Sequence, residues 1–136
     1  MELETQICTN IEQSKRLMAL GLKAETADMR YQIKYFDWGG VLKECTPSLE
    51  PYPPLNNDRF IPAWSLHRLI KIMPYNFANN NNTYELQVTC DGAGYDDIED
   101  LYPIVGWWHS NTYDDIIDCI EWLIKEGYFN KEYLEE

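Results

Sequence analysis

The sequence predicts an α+β fold, with a small antiparallel sheet of about three strands and three helices in the order α-β-α-β-β-α. Three observations carry this. Residues 11–18 and 113–124 place apolar side chains at helical spacing, whereas Met29–Tyr35 and Tyr84–Cys90 alternate with a period of two. Residues 46–62 contain Pro47, Pro51, Pro53, Pro54 and Pro62, a long Pro-rich connection before the second helix that resists regular structure. With 136 residues and no visible linker or internal repeat, a single globular domain spanning 1–136 is expected.

Taken in order, Thr9-Asn10-Ile11-Glu12 reads as a capping box opening the first helix. Ile11, Ser14, Leu17 and Met18 form its core side, and Gly21 ends it. Met29, Tyr31, Ile33 and Tyr35 then mark the buried face of a strand closed by Trp38-Gly39-Gly40. The Pro-rich connection is a functional loop or a surface strap. Its one Pro-x-x-Pro, Pro51 to Pro54, is a weak polyproline II signal.

Pro62 is placed to open the second helix and Pro74 to stop it. Ala63, Leu66, Leu69, Ile70 and Met73 make the buried stripe, which leaves Trp64, His67, Arg68 and Lys71 opposite. Trp64 and Arg68 lie four apart, the spacing of a cation–π pair. After the polar turn Asn79–Asn82 comes the strand Tyr84–Cys90, which Gly92-Ala93-Gly94 breaks. Ile104–His109 reads as a third strand, antiparallel to the second. Neighbours on a strand face opposite sides, so Trp107 and Trp108 cannot both enter one core.

The last helix has the strongest signals. Asn111 or Thr112 caps it, Asp114 and Asp115 meet its positive end, and Gly127 terminates it. Tyr113, Ile116, Ile117, Ile120, Leu123 and Ile124 form its stripe. Trp122 falls about 160° from the stripe centre, among acids. Either a neighbouring element covers it, or it is an aromatic anchor on a contact surface.

The net charge of −12 is unevenly spread. Residues 1–84 carry nine Lys/Arg and nine Asp/Glu; residues 85–136 carry two and fourteen. Direct nucleic-acid binding and attraction to anionic membranes are therefore disfavoured. An acidic surface of Asp91, Asp96, Asp97, Asp100, Asp114, Asp115 and Asp118 either keeps the protein in solution or meets a basic partner. No apolar run reaches a membrane span, and Met-Glu-Leu-Glu is unlike a signal peptide, so a cytoplasmic location is expected.

Signals for chemistry are sparse. Cys8, Cys45, Cys90 and Cys119 lack Cys-x-x-Cys spacing and read as reduced structural thiols. The two histidines stand at no ligand spacing from a cysteine, so neither zinc nor any cofactor is expected. Ala93 and Tyr95 occupy ligand positions of a would-be calcium loop. A Cys90–His109 pair lacks an orienting third group, and spacing cannot single out a carboxylate pair. Glycine-rich phosphate loops and a nucleophile elbow are missing from the sequence. An enzyme is disfavoured, and would need an unrecognised carboxylate or Cys–His site.

Cys8-Thr9 to Leu20-Gly21, Ile61 to Met73-Pro74, Tyr84-Glu85-Leu86 and Ile120 to Gly127-Tyr128 together resemble small uncharacterised proteins encoded by prophages and mobile elements of gut anaerobic bacteria. The shared features are caps and core stripes. The resemblance implies a mobile-element origin and an accessory role, and brings no catalytic residues.

The expected function is thus a non-enzymatic accessory protein that associates with another protein or with itself. Its interface candidates are Trp64, Arg68, Lys71, Trp107, Trp108 and Trp122. The alternative is an acidic DNA mimic that occupies a host nuclease or regulator, its aspartates standing in for phosphates.

Overall fold

Three α-helices and seven strands are found among the described residues of the computed structural model, which are 5–35, 39–47 and 60–136. The α+β class holds, but the strands form two antiparallel sheets rather than one sheet of three. The chain divides into two units: Met1–Arg68 with Tyr133–Glu136, and Leu69–Glu132. Residues Pro51 to Pro54 lie outside the described residues, as does Trp38 at the expected strand end.

In the first unit, helix α1 (Ile11–Ala19) begins one residue later than expected. Asn10 is the cap: its side chain accepts from the Gln13 N–H, and the Gln13 side chain accepts from the Asn10 N–H. Thr9 is withdrawn from capping because its hydroxyl pairs with Ser14 Oγ at 2.7 Å inside the core. Ser14 and Leu17 are buried as anticipated, while Met18 is exposed. Strands β1 (Met29–Tyr35), β2 (Val41–Pro47) and β3 (Phe60–Ala63) form a sheet in the order β2-β1-β3. The terminal segment joins this unit through a bridge between Leu22 and Leu134.

Pro62 belongs to β3 and does not open a helix. Helix α2 (Leu66–Ile72) starts after Ser65, whose hydroxyl accepts from the Arg68 N–H at 3.1 Å. Asp28 holds Ser65 in place, accepting from its backbone N–H at 2.8 Å and from its hydroxyl at 2.5 Å.

In the second unit, β4 (Asn76–Asn79), β5 (Asn82–Thr89), β6 (Gly92–Asp97) and β7 (Pro103–Gly106) form a meander, with β4 and β7 at its edges. Asn80 and Asn81 both take positive φ, as the tight β4–β5 hairpin requires. Helix α3 (Thr112–Glu126) packs on β6 and β7. It buries Tyr113, Ile116, Ile117, Cys119, Ile120 and Leu123, close to the expected stripe. Gly127, at φ +84°, ends it.

Gly92-Ala93-Gly94 does not break the sheet. It is the first half of β6, and the third expected strand pairs with it rather than with β5. Its glycines alternate with buried Ala93 and Tyr95. A Cβ at Gly94 would collide with the Trp107 indole and come within 2.8 Å of the Val105 carbonyl oxygen. The glycines there mark close packing, not chain reversal.

Candidate functional site

The interface candidates separate once each is placed. Trp64 is fully buried. It lies before the cap of α2, so a helical projection starting at Pro62 puts it on the wrong side. Its indole N–H donates to Thr26 Oγ1 at 2.9 Å, and its backbone N–H to Thr9 Oγ1 at 3.1 Å. Arg68 is also committed to this core, with Nε donating to the Thr26 carbonyl at 2.7 Å. Trp64 is thus a correction, being a core residue of the first unit and not a surface anchor, whereas Arg68 is half-buried. Lys71 is exposed.

Trp122 is half-buried in an aromatic cluster. Its ring lies 5.8 Å from Tyr128 at 17° and 5.5 Å from Phe77. Phe77 also stacks on Tyr128 at 4.5 Å and meets Tyr95 at 5.0 Å. These rings cover the indole, which is why it tolerates a place off the aliphatic stripe. Trp122 is a packing residue, not an outward anchor.

Apart from Lys71, which is on α2, the exposed apolar side chains considered next flank the two ends of edge strand β7, and each end is organised by a buried aspartate. At the first end, Asp97 Oδ1 accepts from the Glu99 and Asp100 N–H groups at 2.7 and 3.2 Å. The Asp97 N–H donates to the Tyr102 carbonyl at 2.8 Å, and its carbonyl accepts from Leu101. This is an Asx turn closing a short loop. The loop presents Leu101 and Tyr102, 73% and 76% exposed.

At the other end, Gly106 (φ +94°) and Trp107 (φ +59°) turn the chain out of β7. A side chain at Gly106 would run into the Ala93 carbonyl. Positive φ in a bulky residue such as Trp107 is strained, and such strain tends to gather at working sites. The Trp107 N–H donates to the Ala93 carbonyl at 2.8 Å, and its indole N–H to Asp96 Oδ1 at 2.7 Å. The ring therefore lies over Gly92 and Gly94 and is partly covered.

Asp115 fixes this second loop. It is 0% exposed, and its carboxylate accepts three backbone N–H groups: Trp108 at 3.1 Å, His109 at 2.7 Å and Ala93 at 3.1 Å. One side chain on α3 thus satisfies donors from both a loop and a strand. Asn111 caps the helix, accepting from Asp114 N–H at 3.0 Å, and the Thr112 hydroxyl donates to the Thr89 carbonyl at 2.8 Å. Trp108 leaves this anchored backbone and is 84% exposed. Both members of the tryptophan pair reach solvent, Trp107 at 37% and Trp108 at 84%, so neither enters the core. Beside Trp108, His109 Nε2 lies 2.8 Å from Asp118 Oδ2.

Two of the seven expected surface acids are therefore internal. Asp97 and Asp115 collect backbone N–H groups, as carboxylates buried without cations can. Asp91 and Asp100 are exposed, and Asp96, Asp114 and Asp118 are half-buried.

Cys8, Cys90 and Cys119 take part in no disulfide, and the Cys8 thiol donates to the Tyr31 hydroxyl at 3.6 Å. Burial, followed by the negative charges of Asp115, Asp118 and Asp96, pushes the Cys119 thiol up to about 12. Burial likewise raises the Tyr95 phenol, whose hydroxyl donates to the Pro74 carbonyl at 2.6 Å. Cys119 is thus an inert core thiol.

Sequence reasoning missed two constellations. The Asp115-x-x-Asp118 spacing with His109 just upstream was a legible signal, since residues three apart share a helix face. Neither cysteine–histidine spacing nor the calcium-loop pattern of residues 91–100 includes it. The scaffold role of Asp97 left no comparable trace. No described helix is long and apolar enough to cross a membrane. No family model, curated protein or solved structure matches the chain.

Proposed function

We propose that the second unit is a protein-binding module whose contact surface runs along edge strand β7, from Leu101 and Tyr102 to Trp108, and that its partner is a basic protein. The observation that carries this is Trp108: a largely exposed indole on a backbone immobilised by the buried Asp115. A large aromatic held in one place in water loses little freedom on binding, which is the condition for an interface hot spot. The unit carries three Lys/Arg against twelve Asp/Glu, so charge complementarity selects a cationic partner and opposes pairing of two copies. The accessory role implied by the prophage resemblance suits such a module.

The test compares the unmodified chain with Trp108→Ala and Tyr102→Ala, each immobilised and exposed to host lysate at low and high salt. A basic protein retained by the unmodified chain at low salt, released by salt and lost from both variants at unchanged melting temperature, is the expected result. Retention by both variants, or loss explained by their unfolding, would overturn the reading. Light scattering adds a further arm, since a dimer dispersed by Trp108→Ala would identify a second copy as the occupant instead.

A further inference from the structure

We propose that His109 and Asp118, backed by Asp115, form a site for a divalent transition-metal ion, with zinc(II) the best chemical match. Their donor atoms all lie within 4.8 Å of one another. Asp115 and Asp118 stand three apart on α3, which puts both carboxylates on one side of the helix, and the loop held by Asp115 carries His109 to the same place.

The geometry suits a small tetrahedral ion. Zinc bonds of about 2.0–2.1 Å put neighbouring ligand atoms about 3.3 Å apart. His109 Nε2 and Asp118 Oδ2, now 2.8 Å apart, need to open by only about half an ångström. Their side chains are 37% and 26% exposed, so both have room to move and water can complete the coordination shell. Asp115, by contrast, is fixed. A carboxylate offers about four lone-pair positions, and three are taken by backbone N–H groups, leaving one for the ion.

The donor chemistry decides between ions. Imidazole with carboxylates favours zinc and its transition-metal neighbours, whereas magnesium and calcium favour all-oxygen shells. Asp114 and Glu121 on the same helix add negative charge nearby and raise the local cation concentration. This inference does not depend on the partner-binding reading, because a metal would occupy the site whether or not a protein docks on Trp108.

Titration calorimetry with zinc chloride alone, on the full chain in a Cys90→Ser background, tests it; that substitution removes an exposed thiol that would compete for zinc. One ion per chain is expected. His109→Ala and Asp118→Asn should each weaken binding by about tenfold or more, Asp114→Asn, which removes nearby charge but no ligand, by far less, and magnesium and calcium should not compete. The proposal fails if no binding is seen at about 1 mM zinc. It fails equally if His109→Ala binds as tightly as its parent, or if Asp114→Asn weakens binding as much. Should His109→Ala lose its fold, cobalt(II) on the unsubstituted His109 chain decides. An intense visible band of a tetrahedral site supports the assignment, and the weak spectrum of the hydrated ion overturns it.

Discussion

Trp64 and Trp108 stand in similar places in sequence, each a few residues before a helix whose cap is a small polar residue, yet one is wholly inside and the other almost wholly outside. The difference lies in what each ring's neighbourhood asks of it. Around Trp64, three polar core groups (Thr9, Ser14 and Thr26) need partners, and the indole N–H is one of them. Around Trp108, the buried Asp115 already satisfies the loop through backbone N–H groups. The Trp108 ring is left with no structural task. An anchored backbone with an idle aromatic side chain points to binding; an aromatic knitted into a polar network points to folding.

The sharpest way to break this contrast is stability. Trp64→Ala removes a fully buried indole and its bond to Thr26, and should cost about 3–5 kcal/mol in denaturant unfolding. A cost below about 1 kcal/mol would mean that Trp64 is not a keystone of its unit.

Asp115→Ala should come next. It strands three N–H donors at once, one buried and two part-buried, and a loss of about 3 kcal/mol is expected. The same change should broaden Trp108 resonances or speed exchange of the Trp108 and His109 amides. If the variant is destabilised but those amides stay protected, something other than Asp115 holds the loop.

A smaller effect is set by pH. The folded state raises the Cys119 thiol from its ordinary value of 9.0 to about 12, so it favours the neutral form. Its contribution is fully present below pH about 9 and is lost as pH climbs toward 12, because there the unfolded chain has released a proton that the folded chain retains. Stability should fall by about 1.4 kcal/mol per pH unit across that window. Tyr95 acts in the same direction at higher pH. In Cys119→Ala the slope should be shallower from a lower starting stability; an unchanged slope would assign the alkaline loss elsewhere.

Much of the architecture could be read before the coordinates, and the reasons differ by element. Helix α3 and strands β1 and β5 were legible because their patterns run long enough for period to outvote any one residue. Helix α2 was misplaced because Pro62 suits a strand's end as well as a helix's first turn, and that shift carried Trp64 to the wrong face. Strand β6 was hidden because its glycines look like punctuation unless one knows that an indole from residue 107 lies on them. Trp122 was misjudged because the rings that cover it, Phe77 and Tyr128, come from other segments. At the site, Trp108 is one of four tryptophans that the sequence offers as contact residues, and the burial of Asp97 and Asp115 is invisible. Composition counts a carboxylate as surface charge, and only tertiary structure reveals one spent on backbone N–H groups.

Trp108→Ala should have the smallest effect on folding, within about 0.5 kcal/mol of the parent, because truncating an exposed ring removes little buried area. That near-silence gives the substitution its diagnostic value. The parent's emission should contain a red-shifted, readily quenched component that shrinks in Trp108→Ala to the share of the less exposed Trp107, while the blue-shifted emission of Trp64 persists. Partner binding should quench or shift that component alone. A destabilisation of 2 kcal/mol or so would instead place the ring in the fabric of the fold, and the two tryptophans would no longer differ in kind.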